Sequence, residues 1–136
     1  MIGPKKTAYK KIHKGRLNGI ETNWNLFAFG DYALQALDNS RITLDQLEAC
    51  RKAIKRKMNR SNRLWIRVFP DLAVSAKPLE IRMGKGKGAF SYWACRVKSG
   101  MVLFELKNIS YKKAIEIFNN ASYKLPIATR VIKKII

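Results

Sequence analysis

Thr43 followed three residues later by Gln46 constrains this chain more than any other feature. A hydroxyl and a side-chain amide at that spacing can each satisfy a free amide in the first turn of a helix, so the pair marks a helix start. Behind it Leu47, Cys50, Ile54 and Met58 recur at helical spacing and predict a buried stripe on a helix over residues 44–59. Around this segment the apolar runs are short. Residues 26–29 and 32–37 read as strands split by Gly30-Asp31, with a turn at Asp38-Asn39-Ser40. Residues 64–69 alternate, with Leu64, Ile66 and Val68 pointing one way and Trp65, Arg67 and Phe69 the other. Trp65 is expected in the core, and Pro70-Asp71 ends the strand. Residues 79–83 and 90–97 read as two further strands, and Lys98-Ser99-Gly100 turns into another over 101–106. Ser110 is the expected N-cap of a second helix reaching residue 123, with Ala114, Ile115, Phe118, Ala121 and Leu125 as its apolar stripe. Pro126 stops it, and residues 127–132 make a last strand. Strands, helix, strands, helix, strand is an α+β order. It predicts a mixed or antiparallel sheet core with two helices, not a doubly wound sheet.

The surface laid over this core is one-sided. Against 28 Lys and Arg there are 9 Asp and Glu, a formal charge of +19 on 136 residues. Self-repulsion of that size opposes a compact state unless a polyanion relieves it. A small-molecule enzyme working alone is thereby disfavoured; nucleic acid is the first expectation and an anionic membrane surface the second. The helix over 44–59 carries Arg51, Lys52, Lys55, Arg56 and Arg60 with almost no acid beyond Glu48, a cationic face suited to phosphates. Residues 1–25 hold Lys5, Lys6, Lys10, Lys11, Lys14 and Arg16 and too few apolar side chains to fold alone. They read as a basic arm ordered by phosphates rather than a solvated tail, and residues 26–136 as a single domain. The longest apolar run, 101–106, contains Glu105 and is too short to span a bilayer. Cys50 and Cys95 lie far apart without a CxxC pair, which points to buried thiols in a reducing compartment and not to zinc or a disulfide.

Arg82-Met83-Gly84-Lys85-Gly86-Lys87-Gly88 is the sharpest chemical motif. Alternating glycines open backbone angles and allow close approach, while the lysines bring point charges, so the loop can press amides and ammonium groups against phosphates. A solvated hairpin loop is the competing reading. It is not a P-loop, because GxxxxGK[ST] is absent, and its GxGxG spacing does not fit the dinucleotide fingerprint. His13, the single histidine, sits in the arm, where solvation or RNA contact suits it better than general-base work. The carboxylates Asp31, Asp38, Asp45, Asp71, Glu80, Glu105 and Glu116 are scattered. No catalytic constellation, metal site or cofactor is expected.

Three stretches together resemble universal large-subunit ribosomal protein sixteen, the bacterial L-sixteen and archaeal-eukaryotic L-ten-e family. They are Pro4-Lys5-Lys6-Thr7 with His13-Lys14-Gly15-Arg16; Leu64-Trp65-Ile66-Arg67-Val68-Phe69-Pro70-Asp71 after Leu47-Glu48-Ala49-Cys50-Arg51; and Lys77-Pro78, Arg82 to Gly88 and Tyr92-Trp93, with Leu103-Phe104-Glu105 following. The resemblance implies a β-hammerhead-like α+β core and a non-catalytic constituent of the large subunit, neither membrane-bound nor a homo-oligomer. It implies an arm and helix on ribosomal RNA among neighbouring ribosomal proteins. The Arg82 to Gly88 loop would extend toward transfer RNA near the peptidyl-transferase centre. A standalone RNA-binding or assembly factor is the alternative; it would show exposed aromatics on its strands, whereas Trp65 and Trp93 are assigned here to core packing. Abundant Ile, Lys and Asn, which have A/T-rich codons, and a start directly on the basic arm without a presequence suit a protein made inside an organelle. Residues 92–98 resemble proteobacterial and mitochondrial members, so a mitochondrial ribosome is expected, with a plastid or a bacterium as alternatives.

Overall fold

The capping box forms. In the computed structural model, Thr43 Oγ1 accepts from the Gln46 amide at 3.3 Å and Gln46 Oε1 from the Thr43 amide at 3.0 Å. It opens helix α1 (Leu44–Lys57), with Asp45 in the first turn and Lys55, Arg56 and Lys57 in the last, each sign facing the favourable end of the helix dipole. The structure describes residues 3–6, 8, 9, 11–22 and 27–134. Before α1 run strands β1 (Tyr32–Ala36) and β2 (Ser40–Thr43). After it come β3 (Arg63–Ile66), β4 (Leu72–Ala76), β5 (Ala89–Val97), β6 (Val102–Lys107), helix α2 (Tyr111–Ser122) and β7 (Thr129–Lys133). The fold is α+β, as expected.

The strands form two antiparallel sheets, one in the order β3-β6-β1-β7 and one in the order β2-β5-β4. Helices α1 and α2 pack on each other; α1 also meets β2 and β5, and α2 meets β1 and β7. One apolar cluster joins all of these, with Leu47, Cys50 and Ile54 from α1, Ile117, Phe118 and Ala121 from α2, and Leu34, Ile42, Cys95, Val97, Phe104 and Leu106 from the strands. Each such Leu, Ile, Val or Phe side chain taken wholly out of water contributes about 1.5–3 kcal/mol, which is what holds helices and sheets in one body.

Several expectations change. The expected strand over 26–29 is not formed in its described part, Phe27 to Phe29, because its amides turn toward the Glu105 carboxylate instead of a neighbouring strand; Leu26 lies outside the described residues. The strand expected over 79–83 is an exposed stretch of turns and bends. The partner of β5 is β4, which follows directly on Pro70-Asp71, so residues 77–88 form one long hairpin connection. Ser40 belongs to β2 and not to a turn. On α2, Ile117 and not Ile115 is fully buried, since the helix rolls Ala114, Ile117, Phe118 and Ala121 inward, and Ser110 makes no side-chain cap bond. Trp65 alternates away from the core cluster, and Trp93 is only half-buried, 5.0 Å from Phe90 between ring centroids.

Candidate nucleic-acid interface

The C-terminal part of strand β5 buries residues on both faces, and that decides where the arm goes. Cys95 and Val97 point into the main core, while Ala94 joins Leu72 and Val74 in a second cluster on the opposite face, against which Ile12 packs. The same alternation sends Arg96 to the Ile12 side, directly across from Arg41 on β2. Both guanidinium groups donate to main-chain oxygens of the arm. Arg96 reaches the carbonyls of His13 at 3.0 Å and Lys14 at 3.2 Å, and Arg41 that of Gly15 at 2.6 Å. The next tie is reciprocal, with Lys87 Nζ donating to the Ile12 carbonyl at 2.6 Å and Lys11 Nζ to the Lys87 carbonyl at 2.8 Å. Glu21 N–H closes the far end on the Ser99 carbonyl at 2.8 Å. The arm is thus held by its backbone at residues 12–15 and 20–21, which leaves the side chains of His13, Lys14 and Arg16 exposed. Lys5 and Lys6 are exposed as well; Lys10 lies outside the described residues.

On α1, one of the expected cations, Arg51, is engaged in an ion pair, as is Lys57, which lay outside the expected set. Arg51 lies in a two-point pair with Glu48, Nη2 to Oε1 at 2.6 Å and Nε to Oε2 at 3.0 Å. The Arg51 hydrogen bonds hold the Glu48 carboxyl below its usual pKa. Lys57 reaches Glu116 on α2 at 2.8 Å, and that bond lowers the Glu116 pKa. Lys52, Lys55, Arg56 and Arg60 stay exposed without an ion-pair partner among the described residues. Arg51, Lys52, Lys55 and Arg56 line one shallow depression, and Lys55 and Arg60 an adjoining one with Met58, Asn59 and Asn62.

The glycine-lysine loop projects from the β4–β5 hairpin with Arg82, Met83, Gly84, Lys85, Gly86 and Lys87 exposed and Gly88 half-buried. Gly84, Lys85 and Gly86 have φ of +102°, +56° and +88°, left-handed values that glycine takes without cost and that Lys85 adopts against a penalty of about 1–2 kcal/mol. Lys77 Nζ donates to the Gly84 carbonyl and folds the tip back on the base. The loop base and the arm therefore meet through Lys87 and Lys11, whereas no described hydrogen bond joins either to the α1 cations.

The buried Glu105 was hidden from sequence reasoning. Its carboxylate accepts from the amides of Ala28, Phe29 and Gly30 at 3.1, 2.7 and 2.6 Å and from the Arg67 guanidinium, which shares Oε1 with the Ala28 amide. Burial is the largest single influence and alone would raise its pKa; the amides of Gly30, Phe29 and Ala28, then Arg67, together outweigh it and leave the group below the usual carboxylate value. A charged residue inside the apolar run 101–106 was the available signal. Every lone pair is committed inward, so Glu105 fastens the segment before β1 to the sheet and is not a catalytic acid. Cys50 and Cys95 are buried and unpaired, and burial pushes their thiols up to about 12 and about 11. Among the described residues no group of three or more His, Cys, Asp or Glu could hold a metal ion, and no helix is long and apolar enough to cross a membrane.

The chain matches the family described as Ribosomal protein L16p/L10e over residues 4–132. It is 52% identical over 134 residues to "Large ribosomal subunit protein uL16c" of Guillardia theta, covering 98% of this chain and 100% of that one. It is 48% identical to "Large ribosomal subunit protein uL16" of Xanthobacter autotrophicus, covering 99% and 98%. A uL16c of Cyanidioschyzon merolae is 52% identical, covering 97% and 92%. The relatives are plastid and bacterial forms, the two alternative compartments of the sequence reading; the expected mitochondrial location finds no support among them. The full-length match and the antiparallel α+β fold agree: this chain belongs to the L16p/L10e family of large-subunit ribosomal proteins, a structural and non-enzymatic family.

Proposed function

We propose that the chain is a structural constituent of the large ribosomal subunit that binds large-subunit ribosomal RNA through two cationic surfaces and carries its glycine-lysine loop toward transfer RNA. The first surface is the arm, residues 1–25, through Lys5, Lys6, Lys10, Lys11, His13, Lys14 and Arg16. The second is α1 with its following turn, through Arg51, Lys52, Lys55, Arg56 and Arg60. The loop Arg82, Met83, Gly84, Lys85, Gly86, Lys87 and Gly88 lies near the peptidyl-transferase centre in this reading, and residues 26–136 are the single domain that supports arm and loop. The protein acts as one copy among neighbouring ribosomal proteins, with no cofactor. The observation that carries the reading is the way the arm is anchored: Arg41, Arg96 and Lys87 take the carbonyls of Ile12, His13, Lys14 and Gly15, and the side chains of His13, Lys14 and Arg16 stay exposed. Cations presented on a fixed backbone suit a polyanion better than solvent.

Sedimentation tests it. The protein co-sediments with large subunits through a sucrose gradient in high salt, whereas a standalone RNA-binding or assembly factor washes off. Affinity of the free protein for RNA falls on the order of 10³-fold between low and moderate salt, and salt-insensitive binding refutes the reading. Lys85→Ala leaves incorporation intact and impairs translation; an incorporation defect with normal function once incorporated means the two surfaces are reversed. Lys87→Ala adds a loosened arm, because Lys87 also holds Ile12. The compartment is read as organellar or bacterial, with the relatives favouring plastid or bacterium over mitochondrion. Recovery in large subunits from purified mitochondria, plastids or bacterial cytoplasm decides among them.

A further inference from the structure

We propose that the outer face of the four-stranded sheet, at Phe29 and Trp65, is a further RNA contact that holds one unstacked nucleobase, with the flanking phosphates on Arg63 and Lys107. It rests on the reading that the chain binds RNA, and it adds a surface outside the arm, α1 and the loop. Alternation along β3 turns Trp65 away from the core and places Arg63 on the same side. The Phe29 ring lies against Trp65, centroids 5.7 Å apart and planes 21° from parallel, yet Phe29 is still 56% exposed. Covering Glu105 requires only the backbone of residues 28–30, so the open face of the phenyl ring is surplus to that task. Phe29, Trp65, Arg63 and Lys107 line one depression with Ala28 and Asn108.

The charges say what fills it. Arg63 and Lys107 stand directly opposite in the β3–β6 ladder, an arrangement in which like charges repel. Both are exposed, and neither has an ion-pair partner among the described residues. An apolar protein segment would cover the rings and leave that repulsion in place. An unpaired nucleotide supplies a π-face for the aromatic pair and phosphates for the two cations. A duplex does not, because its bases are stacked inside.

The test uses the full chain, a fluorescent octauridylate and a duplex RNA of equal length, read by fluorescence anisotropy. Phe29→Ala loses about 5- to 150-fold in affinity for octauridylate, the range of one lost base-aromatic stack, and changes little on the duplex. Arg63→Ser and Lys107→Ser each lower the slope of log affinity against log salt by about one. Should Phe29→Ala fail to fold, octauridylate carrying 4-thiouridine is photo-crosslinked to the wild-type protein, and the crosslinked peptide contains Phe29 or Trp65. Wild-type octauridylate affinity in a folded Phe29→Ala protein overturns the proposal and leaves this face to a protein neighbour; so do crosslinks confined to the arm, α1 and the loop. A wild-type protein that binds neither RNA defeats the RNA reading itself, an outcome distinct from salt-sensitive binding that ignores Phe29.

Discussion

Replacing Glu105 by Gln keeps the shape of a buried side chain and removes its charge. In the wild-type protein Oε1 receives the Ala28 amide and Arg67, while Oε2 receives the amides of Phe29 and Gly30. Whichever way a glutamine is turned, its NH₂ meets two donors and cannot accept from either. Glu105 is fully buried, so the donors facing the NH₂ cannot turn to water, and the pair with Arg67 loses its negative member. Removing one partner of such a pair costs about 3–5 kcal/mol. Domains of this kind are stable by about 5–15 kcal/mol in total, so the variant loses a large share. Urea unfolding followed by circular dichroism shows a midpoint lower by on the order of 2 M with an unchanged slope. The acid limb tests the same carboxylate. Its folded pKa is depressed, so its contribution is present in full above the unfolded value of about 4.3 and is lost as pH falls through the lower folded value. Wild-type protein therefore loses stability below about pH 4 through this group, and Glu105→Gln lacks that portion of the loss. A variant within about 0.5 kcal/mol of wild type, with the same acid limb, refutes the assignment of Glu105 as the clasp of residues 28–30.

Two other expectations come from the same packing. Gly30→Ala places a methyl carbon 2.8 Å from the Leu106 carbonyl oxygen and 2.9 Å from the Glu105 Cβ, so it lowers stability by about 1–3 kcal/mol or more in the same urea assay, whereas Gly15→Ala, whose added carbon meets nothing within 4 Å, loses only what its φ of +68° imposes. Native protein resists iodoacetamide at pH 8, because Cys50 and Cys95 are buried with thiols pushed up to about 12 and about 11; mass spectrometry finds labelling that tracks unfolding in urea, and native labelling at the rate of a free thiol contradicts the burial.

Local chemistry is what the sequence carried. Thr43 and Gln46 begin α1 by themselves, since the bonds they make span three residues, and Leu47, Cys50 and Ile54 had to share a face by helical periodicity alone. The runs 90–97 and 101–106 were legible as strands for the equivalent reason, whereas the run expected over 64–69 stops as a strand at Ile66; the excess of Lys and Arg was visible without any fold. The composition of the Arg82 to Gly88 loop was equally plain. Its setting was not: the exposed residues 79–83 alternate like a strand, and only the pairing of β4 with β5 turns them into part of a hairpin connection.

Tertiary structure decided everything that depends on partners distant in the chain. Whether Glu105 is a solvated acid or a buried clasp turns on amides 75 to 77 residues away and on Arg67 across the sheet. Whether the arm is a tail or an anchored strip turns on Arg41, Arg96 and Lys87, cations that looked like any others in the sequence. Trp65 could be placed on one of two faces by alternation, but which face meets the helices is fixed only when β3 docks on β6, and that docking left the ring beside Phe29 on the outside. Periodicity over a few residues determines that a surface has two sides; long-range packing determines which of them meets water, and so which side chains remain free to bind.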